Sequence, residues 1–295
     1  MLAASCTAAG ASREVAITID DLPRGGDGGG QTFEDIQAMT RRLLAPFQAR
    51  KIPVTGFVTP GRTQLAPDEL RAILDLWLDA GAELGNHTDS HADLNTVTVA
   101  EYEKEILKGE SALLWTLQSR GKKLEFFRYP MLHTGPAPEV KHAIEQFLAA
   151  HGYRNAPVTI DNSDYMFAVA YLDPKLADRV RREYVPYLES VVAFFERRSV
   201  EVVGREFPQI MLLHSSEMNS WMMPKILRMF RRRGYRFISL DEALRDPAYR
   251  LPDNYVGRGG FSWIHRWSMT KGMPNKGEPE EPPWVRKAFE TSRRP

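Results

Sequence analysis

Short apolar runs with strand character alternate with amphipathic helical segments along most of this chain, and run after run ends in a charged or imidazole side chain. Alternation of this kind predicts an α/β fold around a parallel sheet, because each parallel strand needs a crossover before the next. The first run, Ala16-Ile17-Thr18-Ile19, stops at two adjacent carboxylates, Asp20 and Asp21. Burying one unpaired carboxylate is costly and two side by side repel, so a strand that ends this way calls for a cation. Successive strand residues point to opposite faces, but the chain turns at a strand end. One Asp can then ligate a metal while the other faces the substrate as a base. The alternative is an Asx-type turn into Pro23-Arg24-Gly25-Gly26.

The alternation continues in order. Thr32 caps a helix running to about Ala49, with Ile36, Met39, Leu43, Leu44 and Phe47 as its apolar stripe, and Val54–Val58 is the next strand. Pro67 opens a helix that ends at Gly81, Glu83-Leu84-Gly85-Asn86 follows, and Thr98-Val99-Ala100-Glu101 is a capping box for a helix ending at Gly121. Phe126-Phe127-Arg128-Tyr129-Pro130 reads as a strand whose end carries an arginine, then a helix from Pro138 to about Ala150 and a short strand from Asn155 to Ile160 that ends at Asp161. A polar helical region from Pro174 to about Arg198 is expected to be interrupted at Pro186. Gln209–Leu213 is a strand ending at His214, followed by a basic helix from Trp221 to Arg233, the strand Tyr235–Ile238 and a last helical turn at Leu240–Leu244.

After the Glu83–Asn86 strand come His87 and His91. One helical turn would bring both imidazoles onto a common face, where they can share one ion. The alternative is one histidine facing solvent at a helix start and the other in an ordinary hydrogen bond. Position adds weight to the metal reading. Asp20, Asp21, His87, His91, Arg128, Asp161 and His214 all follow the C-terminal ends of expected strands, the edge where α/β barrels gather catalytic groups.

Composition narrows the chemistry further. The chain has 295 residues, 43% of them hydrophobic, enough for one large barrel or two modest domains. Lys and Arg number 39 against 38 Asp and Glu, so no global field points to nucleic acid. The single Cys6 rules out an intramolecular disulfide framework and a cysteine-based zinc site, leaving His and carboxylate as metal donors. No apolar run approaches the about 20 residues of a membrane-spanning helix. Residues 1–12 are expected to be a disordered or truncated signal-like segment. Leu2-Ala3-Ala4-Ser5-Cys6 resembles a bacterial lipoprotein processing box, with Ala3 where Leu is usual, and an incidental Cys in a disordered terminus is the alternative. The expectation drawn from it is export to the periplasm or cell envelope, with Cys6 as a lipidation point.

Together these residues resemble the polysaccharide deacetylase family of the chitooligosaccharide-deacetylase homology, carbohydrate esterase type. The resemblance runs from about Arg13 to Leu244 through five motifs in the family's order. Thr18-Ile19-Asp20-Asp21-Leu22-Pro23 is similar to the first, which makes Asp20 the base and Asp21 a metal ligand. His87-Thr88-Asp89-Ser90-His91 is similar to the second, with both histidines as ligands and Thr88 bracing the loop. Arg128-Tyr129-Pro130-Met131 resembles the third, whose Arg orients the base. Asp161-Asn162-Ser163-Asp164-Tyr165 resembles the fourth, and Ile210-Met211-Leu212-Leu213-His214 the fifth, whose His is the acid. Departures are Leu22 for the usual Gly, Met131 for an aromatic and Tyr165 for the common Trp. None removes a ligand, base or acid, and Tyr129, Pro130, Met131 and Tyr165 are expected to shape the sugar groove. The fold implied is a distorted (β/α) barrel with fewer than eight complete units.

The expected organisation is a catalytic domain over residues 13–247 and a C-terminal extension over residues 248–295 that packs on the barrel or is partly loop. Phe261, Trp263 and Trp267 in the extension are expected to be buried against the barrel; sugar stacking on exposed rings is the alternative. The expected activity is metal-dependent removal of N-acetyl groups from an amino-sugar polysaccharide. Zn²⁺ is the expected ion, with Co, Ni or Mn as substitutes; Asp164 orients His214, and a backbone N–H near Met131 meets the oxyanion. Within hydrolases the alternatives are O-deacetylation of a glycan such as xylan and hydrolysis of a small cyclic amide. A catalytically silent glycan-binding protein is the alternative from another class.

Overall fold

The computed structural model describes residues 13–293, so Cys6 and the signal-like segment lie outside the described residues. In chain order the strands are β1 (Arg13–Leu22), β2 (Val54–Val58), β3 (Glu83–Asn86), β4 (Phe126–Phe127), β5 (Arg154–Asn155), β6 (Gln209–His214) and β7 (Tyr235–Phe237). The helices are α1 (Phe33–Arg50), α2 (Pro67–Asp79), α3 (Val99–Gln118), α4 (Pro138–Ala150), α5 (Asp164–Tyr171), α6 (Ala177–Val203), α7 (Glu217–Arg232), α8 (Leu240–Leu244), α9 (Trp263–Thr270) and α10 (Pro283–Ser292).

Strand β1 is central because it is apolar on both faces, and its last eight residues are buried. It pairs in parallel with β2, β6 and β7, and the sheet order is β5-β4-β3-β2-β1-β6 with β7 beside the start of β1. The segment after β5 curls the sheet round: residues 154–155 pair with β4, while Ile160 bridges to Met211 of β6. The result is a distorted (β/α) barrel with seven strands among the described residues, short of eight complete units. Regular pairing of the expected 155–160 strand is confined to its start, because the chain leaves β4 to reach β6.

Local signals set the helix starts. Thr32 accepts from the Asp35 amide, and Thr98 and Ser239 form capping boxes with Glu101 and Glu242. Helix α6 corrects the expectation of a break, since it runs unbroken through Pro186 for 27 residues. Pro186 lies on the exposed side of α6, where solvent satisfies the carbonyl it leaves free, while Tyr184, Leu188 and Val191 hold the opposite face in the core. Helix α7 begins at Glu217, one turn before Trp221, because Ser216 caps it. No helix among the described residues is long and apolar enough to cross a membrane.

The extension is more ordered than its composition implied. Trp263 and Trp267 of α9 are buried in the main core, with Trp267 against Phe207 and Tyr249. Phe261 differs from expectation and is 36% exposed. Helix α10 packs on α5, and its Phe289 lines the cavity at the barrel mouth.

Candidate metal centre and active site

The C-terminal ends of β1, β3, β4 and β6 open onto one cavity of about 560 Å³, lined among others by Asp20, Asp21, His87, His91, Asp161 and His214. A bulge makes the first step possible. Pairing of β1 with β2 shifts register between Ile19 and Leu22, and Asp21 takes a left-handed backbone, φ 64°. Strand alternation is thereby broken, and both carboxylates reach the same cavity. Six non-glycine residues among those described have positive φ; four of them, Asp21, His91, Met131 and Leu132, line this cavity, and a fifth, Thr88, lies in the loop between His87 and His91. Backbone strain of that kind persists where surrounding structure overdetermines it, and it concentrates at functional sites.

The histidine pair corrects one expectation: it sits on a loop, not on a helical turn. Left-handed residues at Thr88 and His91 fold the loop back, and the Thr88 hydroxyl accepts from the Ala92 amide. Beneath it, the Asn86 side chain accepts from the Thr88 amide and donates to the Ile106 carbonyl. Helix α3 approaches so closely that a Cβ on Gly109 would stand 2.8 Å from Asn86 Oδ1, which is why glycine occupies that position.

His87 Nδ1 donates to the Arg128 carbonyl at 2.7 Å, which leaves the Nε2 lone pair facing Asp21 Oδ1 at 3.5 Å. His91 Nε2 lies 3.4 Å from the same oxygen. Asp21 Oδ1 is buried without a hydrogen-bond partner, while Oδ2 accepts from Arg62 at 3.1 Å. Burial pushes both His87 and His91 below the ordinary imidazole range, so both are neutral donors. One donor atom from each of the three residues lies within 4.8 Å of the others. Two neutral imidazoles and one orphaned carboxylate oxygen are a donor set that would fit a divalent ion.

Asp20 sits beside this cluster, buried, with Arg128 donating to both its oxygens at 3.3 Å. Burial raises its pKa to about 6 against the opposing pull of Arg128. Arg128 is wholly buried, also donates to Thr18 at 3.1 Å, and stacks 4.5 Å over Phe57. Across the cavity, Asp164 at the start of α5 binds His214 twice, accepting from its backbone amide and its Nδ1, both at 2.8 Å. Asn219 fixes Asp164 from behind at 2.7 Å. Burial alone would lower His214, but the Asp164 carboxylate, then Asp21 and Asp20, raise it to about 10. With Nδ1 held by Asp164, Nε2 is the nitrogen left for the cavity.

Met131, Leu132 and Tyr165 line the cavity, and Met131 and Tyr165 are 45% and 40% exposed. Tyr129 is turned inward and 2% exposed, and Pro130 is buried, so neither presents a face to the groove. The structure adds residues that spacing gave no hint of: Arg62, the Asp93–His133 pair at 2.7 Å, and Phe289 and Arg293 from α10.

The family model described as polysaccharide deacetylase matches residues 8–156. The chain belongs to the polysaccharide deacetylase family. The match ends before Asp161, so Asp164 and His214 enter the site through the fold. No curated protein sequence matches this deacetylase-family chain. Solved structures similar to it include a CE4 family pseudoenzyme from Bacillus anthracis, 16% identical, with TM-score 0.51, over 79% of this chain and 66% of the other. A peptidoglycan N-acetylglucosamine deacetylase is 22% identical, with TM-score 0.50, over 78% and 87%. A family 4 acetyl xylan esterase from Clostridium thermocellum, in complex with cobalt, is 20% identical, with TM-score 0.51, over 79% and 91%. At these identities the likeness is one of fold.

Proposed function

We propose that this protein is a divalent-metal-dependent hydrolase that removes N-acetyl groups from an amino-sugar glycan of the peptidoglycan or chitin type. The observation that carries this reading is the convergence on one cavity of three metal donors, a buried carboxylate and a carboxylate-held histidine. Family membership supports glycan deacetylation in general. Asp21, His87 and His91 would hold the ion; zinc suits two imidazoles and a carboxylate, and Co, Ni or Mn are accepted by similar donors. Bound there, a divalent ion polarises an acetyl carbonyl and brings the pKa of a water toward about 7.

The chain's own residues do the rest. Asp20 receives the proton of the attacking water, and Arg128 keeps that carboxylate charged and aimed. His214, protonated at neutral pH, delivers a proton from Nε2 to the leaving nitrogen while Asp164 retains Nδ1. A backbone N–H near Met131, which lines the cavity, would meet the developing oxyanion. The proposal extends to work outside the cytoplasm, supported by the small-residue N-terminus and Cys6; metabolic labelling with a tagged fatty acid tests the lipidated form.

Acetate release from N-acetylglucosamine oligomers, with zinc or cobalt added, tests the activity. Release that Asp20→Asn abolishes is the expected result. Release confined to O-acetylated xylan would transfer the reading to ester hydrolysis, and saturable glycan binding without acetate under any metal would contradict an enzyme.

A further inference from the structure

A second cavity, about 460 Å³, adjoins the first and shares Asp161 and Tyr165 with it. Its outer wall is the C-terminal extension: Phe261, His265, Lys276 and the residues through Glu281. Four carboxylates line it, Asp161, Glu278, Glu280 and Glu281, against one cation, Lys276. Two of the four are spoken for or outside. Glu281 accepts from Ser163 at 3.0 Å and pairs with Arg286 at 2.7 Å, and Glu280 is 83% exposed.

Asp161 and Glu278 are different. The ion pairs among the described residues include neither with a Lys or Arg, and they sense each other's charge across the cavity. Asp161 is partly buried, whereas the Glu278 side chain is 38% exposed at the cavity rim, its oxygen turned in toward His265; partial desolvation, together with neighbouring carboxylates, raises Asp161 to about 6 and Glu278 to about 7. Facing Glu278 at 3.5 Å is His265 Nε2, on a side chain only 7% exposed, and that nitrogen has no hydrogen-bond partner. Burial and Arg198 keep this imidazole neutral, at about 4, so it offers a lone pair. The aromatic rings of Tyr165 and Phe261 line the same space, 40% and 36% exposed. Carboxylates, a neutral imidazole and ring faces are all acceptors for one kind of guest, an organic cation. A metal ion fits less well, because the metal-spaced donor set among the described residues is the one at Asp21.

We propose that this second cavity is a subsite for a sugar carrying a free, protonated amino group, held between Asp161 and Glu278 and stacked on Tyr165 and Phe261. The inference rests on the proposed N-deacetylase activity and sharpens its substrate class. N-deacetylation leaves a primary amine on the sugar, so an already processed unit would dock beside the catalytic cavity while an acetylated neighbour occupies it. The preferred substrate is then a partly deacetylated polymer, and reaction on one unit favours reaction on the next. The deacetylation pattern follows from the adjacency of the two cavities.

Calorimetric binding of a glucosamine tetramer and of its fully N-acetylated counterpart to the full-length protein, at pH 7 and low salt, tests this without relying on catalysis. The expected result is at least tenfold tighter binding of the glucosamine tetramer, weakened by added salt, and lost in large part in Glu278→Gln and Phe261→Ala. Equal affinity for the two tetramers, or a preference untouched by Glu278→Gln, would overturn the subsite. Failure of the subsite is distinguishable from failure of the activity. Acetate release without amine preference removes the subsite alone, whereas amine preference without acetate release keeps the subsite and removes the deacetylase.

Discussion

The two sides of the cavity at the barrel mouth hold the same residue type in opposite states. On the β1 and β3 side, burial strips His87 and His91 of their protons and leaves lone pairs directed at Asp21. On the α5 and β6 side, Asp164 overrides burial and keeps His214 charged. The supporting structure differs as well. The metal side is built from left-handed loop residues braced by Asn86 and the close approach of α3 at Gly109, and the acid side from a helix start and a single buried carboxylate. The lesson is that a histidine's role is set by its fixed nitrogen. Bonded to a backbone carbonyl, as His87 is, it keeps a neutral lone pair suited to a ligand, and bonded to a buried carboxylate, as His214 is, it keeps a proton suited to an acid.

The sharpest way to break the comparison is on the metal side. Asp21→Ala or His87→Ala is expected to eliminate metal binding and reduce acetate release to background, with the His214–Asp164 hydrogen bond kept. On the acid side, His214→Gln should keep the metal and lower kcat by about a hundred to ten-thousandfold. Wild-type kcat/KM should fall at both pH extremes, as Asp20 protonates near or below about 6 and as His214 loses its proton toward about 10. A bound cation favours the ionised carboxylate and the neutral imidazole, so metal loading moves both limbs downward. An acid limb unchanged in a residual-activity profile of Arg128→Lys would contradict the role given to that arginine.

The same contrast is readable as stability in the metal-free protein. His214 has its folded pKa, about 10, above the ordinary 6.5, so its contribution is complete below 6.5 and is lost as pH rises through about 10. Tm should therefore fall across that interval more steeply in wild type than in His214→Gln. Away from the cavity, Trp267→Ala is expected to cost about 3–5 kcal/mol by emptying a fully buried site, with metal content retained by the folded fraction. The smallest effect is expected from Tyr165→Ala, about 1 kcal/mol in binding, seen as a roughly fivefold rise in KM with kcat largely held.

Much of the metal side was legible in the sequence because its chemistry is local. Asp20 and Asp21 end an apolar run, and His87 and His91 are four residues apart. What hid was the backbone: spacing suggested a helical turn, and nothing in it signalled the positive φ of Thr88 and His91 or the bulge at Asp21. The parallel α/β sheet followed from the alternation, and its seven parallel strands bear that out, while the distorted barrel was implied by the family resemblance. The acid side was harder. Asp164 was reached through motif resemblance, while helix α5 that carries it is short and apolar all round, without a stripe to read. Helices α9 and α10 escaped for a related reason. Pro, Gly and charge dominate the sequence around them, and their order comes from tertiary contacts such as Trp267 on Phe207 and Tyr165 on Phe289.

Metal content of protein purified without added metal, measured by elemental analysis alongside Asp21→Ala, His87→Ala and His214→Gln, tests the account most directly. The prediction is one divalent ion per chain in wild type and in His214→Gln, and none in the other two. Wild type that stays empty after supplementation with zinc or cobalt, or an ion retained when both Asp21 and His87 are replaced, would contradict it.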